Sequence, residues 1–359
     1  MFDLKEVFTG TKRLVGLDIG SHSIKLAEIV GSSHGPVLNR FLQFPLTKGV
    51  IVEGNLEDSR ALSAAIKELF RNSGCKGRGL VTSLSGNSVI IKKVTFPQME
   101  EVELRDLIRD EAGKYLPFDN MDDVNYDFQI LGDNEYNPNQ MDVIIVAAKK
   151  ADINNYLDAI TAAGLTVNIM DVDSFALETM YEANYDFEDG EIVVIVNIGA
   201  SITNINIVKG GMSIFTRDFT LGGNAVTEGL QEKYRISFDE AEAIKIDGVA
   251  GSDQDKEDLQ TAIMDCAEPI CLEIERSIDY FRSTFGSDYI KHVYLAGASS
   301  RIAGLSGSLS QRLNIETELI NPLLKIGYNK KNIDAGKIEY IKTIGAVAIG
   351  LGLRKIGDK

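Results

Sequence analysis

The chain has 359 residues, 44% of them apolar and 25% charged, ordinary globular usage that can bury a core. At about 100–200 residues per domain it should hold two or three packing units. Its formal net charge of −16 has the wrong sign for a nucleic-acid or anionic-lipid partner, which needs clustered Lys and Arg.

A small anion such as ATP is not excluded, because backbone N–H groups and a metal ion can hold it whatever the global charge. Cys75, Cys266 and Cys271 supply neither a disulfide framework nor a zinc set. No run reaches about 18 uncharged apolar residues, so no membrane span is expected. No apolar h-region follows Met1–Glu6, so no signal peptide is expected and the location reads as cytoplasmic. Phe2, Leu4, Val7 and Phe8 read as a short tail that docks on its own core, with an oligomer contact or a weak membrane touch as the alternative.

Residues 14–30 alternate in apolar character around a Gly/Ser break, which predicts strand, tight turn and strand. A third strand is expected over 37–44. Helical apolar spacing (Leu62, Ile66, Leu69, Phe70) predicts a helix over 58–72 that ends near Gly74. Two short strands flank Ser85-Gly86-Asn87. A charged helix follows from about Glu100 to Tyr115 and stops at Leu116-Pro117-Phe118, as proline demands. Strands at 124–131 and 141–148 enclose an Asn- and Asp-rich hairpin loop. A helix over 152–163 ends at Gly164. The block 89–165 therefore reads as a small α+β unit inserted in a larger domain, with Leu104, Leu107, Ile108, Leu116 and Phe118 as its core.

The second half restarts the first pattern. Residues 191–208 again read strand, Gly/Ser turn, strand, and a third strand follows at 212–219. Helices are expected at 223–234, 238–246 and 256–284, a strand at 291–296, a helix from Leu305 and a glycine-rich helix at 344–353. Leu17-Asp18-Ile19-Gly20-Ser21 and Val196-Asn197-Ile198-Gly199-Ala200 occupy the same place in two β-β-β starts. Duplicated halves with facing hairpins predict a ligand between them.

Glycine at such a turn lets the backbone approach a phosphate, and turn N–H groups and hydroxyls donate to its oxygens. Asp18, Gly20, Ser21 and Ser23 provide these groups on one side, with Lys25 to neutralise charge. Gly199, Ala200, Ser201 and Thr203 provide them on the other. A lone Asp-Ile-Gly-Ser would be an ordinary β-turn; two in duplicated contexts reverse that reading. Gly297-Ala298-Ser299 follows a buried-type strand and is expected to face a nucleoside. Glu242 and Lys245 share a helix face and read equally as a solvated ion pair or as contacts to ribose and base. His22, His34 and His292 lack any triad context, and no catalytic residue is assigned.

In this order of pieces the sequence resembles the PilM family of type IV pilus assembly proteins, within the actin-like ATPases. The resemblance spans essentially the full chain. It is carried by Gly16-Leu17-Asp18-Ile19-Gly20-Ser21, Ser23-Ile24-Lys25, Phe96-Pro97, Glu111-Ala112, Tyr115-Leu116-Pro117-Phe118, Asp171-Val172-Asp173, Phe175-Ala176-Leu177 and Leu221-Gly222-Gly223-Asn224. It implies an α/β, duplicated actin-like (RNase H-like) two-lobe fold with an inserted subdomain of the FtsA kind. Lobe 1 would be 12–88, 166–190 and 341–359, the insert 89–165, lobe 2 191–222 and 286–340, and its subdomain 223–285.

The resemblance also implies ATP or ADP with Mg²⁺ between the lobes, with Asp18 holding the metal directly or through water. Asp18, Gly20, Ser21, Ser23 and Lys25 would be phosphate-1 residues. Asn197, Gly199, Ala200, Ser201 and Thr203 would be phosphate-2 residues, and Glu242, Lys245, Gly297, Ala298 and Ser299 would surround the nucleoside. The implied partner is the N-terminal cytoplasmic tail of PilN, a single-span inner-membrane protein, with a homo-oligomeric ring and pilus motors beyond it. One departure stands out: superfold members usually carry Asp where this chain has Asn197. Asn keeps an oxygen ligand but loses the charge, which weakens hydrolysis more than binding. The alternatives are a small-molecule kinase of the same superfold and an FtsA-like polymerising ATPase. The ending Leu353–Lys359 is too short and polar for the membrane-lying helix of the latter.

Overall fold

A computed structural model of the chain describes residues 14–77, 79–247, 253–286 and 289–358. Phe2, Leu4, Val7 and Phe8, read above as a docking tail, lie outside the described residues. Among those described, no helix is long and apolar enough to cross a membrane.

The first half begins with β1 (Leu14–Ile19), β2 (Ser23–Ser32), β3 (Gly35–Pro45) and a small ribbon, β4 (Ile51–Val52) with β5 (Asn55–Leu56). Helix α1 (Ser59–Ser73) starts at Asp58, whose carboxylate accepts from the N–H groups of Arg60 and Ala61, and stops at Gly74 in the left-handed conformation, a frequent helix end. Then come β6 (Gly79–Leu84), β7 (Val89–Pro97), α2 (Glu101–Tyr115), β8 (Val124–Asp133), β9 (Gln140–Lys149), α3 (Lys150–Ala162), β10 (Thr166–Val172) and α4 (Asp173–Asn184). The second half runs β11 (Ile192–Ile198), β12 (Thr203–Lys209), β13 (Met212–Phe219), α5 (Gly223–Tyr234), α6 (Phe238–Asp247), α7 (Asp253–Phe285), β14 (His292–Ala296), α8 (Leu305–Leu313) and β15 (Thr317–Leu319). The chain then returns through β16 (Gly327–Tyr328), α9 (Ile338–Ile344) and α10 (Ala346–Leu353).

The internal repeat becomes a repeat of topology. The first sheet has the order β10-β6-β1-β2-β3-β16 and the second β13-β12-β11-β14-β15. In each, an antiparallel three-strand meander is extended by two parallel strands on the side of its first strand. Strand alternation sends successive side chains to opposite faces, and both faces of both sheets are covered. Val15, Leu17, Ile24 and Leu26 pack with Leu62, Ile66 and Leu69 of α1. Val194, Val196, Ile205 and Ile207 pack with Ile270, Ile274 and Ile278 of α7. A third cluster joins the halves: Leu14 and Ala27 of the first sheet meet Val193 and Ile195 of the second around Ala176, Leu177 and Ile349.

Glycine-free packing would not allow that junction. A Cβ on Gly350 would stand 1.8 Å from Ala176 O, and one on Gly16 would stand 2.3 Å from Ala348 O. Helix α10 therefore lies backbone-to-backbone against β1 and α4.

Strands β7, β9 and β8 form a separate three-stranded sheet with β9 in the middle. Its apolar face packs on α2 through Phe96, Leu104, Ile108, Leu116, Val143 and Ile145. Helix α3 corrects the reading of 89–165 as one unit. Tyr156, Ala159 and Ile160 bury against Leu62, Ile66 and Leu69 of α1, so α3 belongs to the first sheet's core. The helix presents an apolar face, and sequence periodicity does not say which sheet it covers.

Candidate functional site

The two glycine turns fold alike and face each other. In the first, Gly20 N–H donates to Ser23 O at 3.2 Å; in the second, Gly199 N–H donates to Ile202 O at 2.9 Å. Each is a four-residue turn at the mouth of the first hairpin of its sheet. A Cβ on Gly199 would stand 2.8 Å from Ile202 O, so the second turn closes only with glycine there. Ser21 Oγ donates to Ser201 Oγ at 3.0 Å, across 180 residues of sequence. That contact fixes the two turns as opposite walls of one cleft.

The cleft encloses about 270 Å³, near the lower end of small-molecule sites. Asp18, Gly20, Ser21, Ser23, Lys25, Asn197, Gly199, Ala200, Glu242, Lys245, Gly297, Ala298 and Ser299 all line it. Strand pairing sets Asp18 opposite Lys25, and Lys25 Nζ donates to Asp18 Oδ2 at 2.8 Å. Lys25, expected to neutralise phosphate charge, is thus paired with Asp18 at the floor of the cleft. Ser23 Oγ accepts from Gln43 Nε2 at 2.8 Å.

On the facing wall, Asn197 Nδ2 donates to Asn204 Oδ1 at 2.9 Å. Ser201 is not on the lining itself; its Oγ accepts from Ser21 and, at 3.2 Å, from Asn224 Nδ2. Thr203 is a correction. Its side chain is fully buried and donates to Leu221 O at 2.7 Å. Alternation along β12 gives the cleft Asn204 instead, because neighbouring strand residues point to opposite faces.

Glu242 and Lys245 are not a solvated pair. Lys245 Nζ donates to Glu242 Oε2 at 2.7 Å, Thr227 Oγ1 at 3.0 Å and Gly223 O at 3.2 Å. Burial lowers its pKa, and the bonded Glu242 opposes that. The lysine thereby clamps α6 to the first turn of α5 and presents both helices to the cleft. Gly297 has φ +85°, and a Cβ there would meet Ile198 O at 2.4 Å and Asn197 Oδ1 at 2.7 Å. Ser299 Oγ donates to Gly199 O at 3.0 Å, which ties the third glycine turn to the second.

Several lining residues carry no sequence assignment above. Tyr340, Thr343 and Val347 reach the cleft from α9 and α10. The most consequential is Asp173, the first residue of α4, which follows the buried strand β10 and lines the cleft. Ser83 Oγ donates to Asp173 Oδ1 at 2.5 Å. Burial raises the Asp173 pKa, and the charges of Asp18 and Asp218 raise it further. The signal in the sequence is a carboxylate placed at the junction of an apolar strand and a helix. Among the described residues, no three His, Cys, Asp or Glu side chains gather as a metal site, so any metal here would need ligand oxygens of its own.

The family description "Type IV pilus assembly protein PilM" matches residues 16–356. The chain belongs to the PilM family. It is also similar to the solved structure of a PilM-PilN type IV pilus biogenesis complex, with TM-score 0.84 and 28% identity over 96% of this chain and 99% of that one. More remote likenesses show the fold alone. The ethanolamine utilization protein EutJ from Carboxydothermus hydrogenoformans matches at TM-score 0.56 and 17% identity, over 94% of this chain and 88% of that one. MreB 5 of Spiroplasma citri bound to AMPPNP matches at TM-score 0.53 and 11% identity, over 95% of each chain. The PilM family member described here thus has the actin-like ATPase fold.

Proposed function

We propose that this PilM-family protein is a nucleotide-binding scaffold of the type IV pilus inner-membrane platform, which holds the cytoplasmic tail of PilN in a manner that depends on bound nucleotide. One observation carries the nucleotide part: two glycine turns, one from each half, meet at Ser21 and Ser201 across a cleft floored by Asp18. The partner part rests on family membership and on similarity to the PilM-PilN complex. The reading places the protein on the cytoplasmic face of the membrane through its partner.

The cleft chemistry fits ATP or ADP with Mg²⁺. The glycine turns bring backbone close to an anion, and the Ser21 and Ser201 hydroxyls can turn from each other to phosphate oxygens. Bound Mg²⁺ would supply charge neutralisation, held by Asp18 through water together with the phosphates. Lys245 and Glu242 present α5 and α6 to the nucleoside end, opposite Gly297 and Ala298. Asp173, with its raised pKa, can accept a proton from a water near the phosphate end. Asn197 provides no second charge there, so the protein is at most a slow ATPase.

Isothermal titration with ATP·Mg²⁺ should give saturable binding, weakened by Asp18→Ala. A synthetic peptide of the PilN tail should be captured in amounts that change with ATP. Absence of ATP binding, with no difference between the native protein and Asp18→Ala, overturns the nucleotide part. Peptide capture indifferent to ATP overturns the gating.

A further inference from the structure

The inserted unit leaves the first half at β7, yet it rests on the second half. The turn at Gly86–Ser88, which feeds β7, lies against the second lobe at the cleft. Gly86 N–H donates to Asp218 Oδ2 at 2.6 Å. Gly86 has φ +63°, and a Cβ on it would stand 2.7 Å from Ile202 Cδ1, so the bare backbone sits on that side chain. Ile202 belongs to the second glycine turn, and Asp218 pairs across β12 and β13 with Asn204, which lines the cleft.

The far end of the same hairpin touches the inserted unit again. Lys209, at the end of β12, forms an ion pair with Glu135. Tyr136 Oη donates to Phe285 O at 3.5 Å, and Lys93 Nζ of β7 lies 5.6 Å above the Phe285 ring. Strand β13 is the outer strand of its sheet, and its 8 residues span about 26 Å at roughly 3.3 Å each. The inserted unit is braced at one end of that length, and the turn that feeds it at the other.

We propose that the Gly86 turn is a latch that makes the inserted unit travel with the second lobe, so that closing of the cleft repositions the inserted unit relative to the first lobe. The Gly86–Asp218 bond is the strong point. Asp218 is half-buried, and loss of its N–H partner leaves a partly desolvated carboxylate less satisfied. The Glu135–Lys209 pair is more exposed and contributes little by itself. The two contacts together define an orientation that only a concerted shift can change. This proposal takes its ligand from the nucleotide reading above, but its geometry is independent of that reading.

Hydrogen exchange of the full chain, with and without ATP·Mg²⁺, tests it. In the native protein, ATP should slow exchange in 199–219 and also in 86–97. In Asp218→Ala, exchange in 86–97 should be about tenfold faster without ligand, and ATP should slow 199–219 alone. An unchanged response of 86–97 in that variant overturns the latch, as does a native 86–97 that ignores ATP while 199–219 responds. If calorimetry shows no ATP binding, the nucleotide reading fails by itself. The ligand-free comparison then decides the latch, with equal exchange in the two proteins overturning it. Should Asp218→Ala not fold, Glu135→Lys at its exposed position serves instead, with faster exchange in 128–141 expected and unchanged exchange overturning.

Discussion

Single side chains in this protein combine cleft chemistry with the cost of burial. Lys25 is the paired cation of the first glycine turn, and its removal both frees Asp18 to repel phosphate and deletes a donor at the floor. Lys25→Ala should weaken ATP binding by about tenfold or more, as read by isothermal titration. Glu178 lies away from the cleft, on α4, where it accepts from Ser213 N–H at 3.0 Å and from the Ser213 hydroxyl. Burial above all, with the charge of Glu182, raises its pKa, the Ser213 bonds and Arg354 oppose, and the result is pushed up to about 7. Between the ordinary carboxylate range and that value, the folded protein keeps a proton the unfolded chain has released. Stability therefore falls as pH rises through that window. Glu178→Gln removes the titration and keeps an oxygen for Ser213. Urea unfolding should show the variant equal to the native protein below the window and more stable at pH 8, by at most about 3 kcal/mol.

At the scale of elements, the decisive feature is how closely α10 approaches its neighbours. Gly350→Ala would drive a methyl into Ala176 O, and α10 would have to move off α4. Overpacking of this kind costs roughly 1–3 kcal/mol, which thermal unfolding can read. Gly31→Ala is the control, since nothing lies within 4 Å of a Cβ there, and its effect should stay within about 0.5 kcal/mol. The cleft depends on the same packing, because Val347 of α10 and Thr343 of α9 line it. Thr343 O also accepts from Gly297 N–H at 3.2 Å. The last helices thus hold the third glycine turn in place. Their glycine-rich composition was visible in the sequence; their position beside the cleft was not, because composition says how near a helix can come and not to what.

For the whole molecule, the two halves share one buried cluster and one cleft. A ligand that bridges them should stabilise both together. ATP·Mg²⁺ at about 100 times its dissociation constant should add about 2.7 kcal/mol to unfolding, seen as a single transition moving upward in a thermal scan. Two transitions, only one of which moves, would contradict a ligand shared by both halves.

The duplicated hairpins, the three glycine turns and the α+β character of the insert are legible in the order of the amino acids. These are local features, set by strand alternation, glycine conformational freedom and helical periodicity. The same order also marks the glycine-turn part of the cleft lining, from Asp18 to Ser299, because glycine turns at strand ends are written in consecutive residues. Long-range packing settles the rest: Thr203 points away and Asn204 inward, Lys245 is clamped to α5, and α3 covers the first sheet. It alone brought Asp173 to the cleft and Gly86 to Asp218. Those facts depend on which face packs against which partner across 15 to 180 residues of chain, and hydrophobic patterning specifies that a face is buried without naming what buries it.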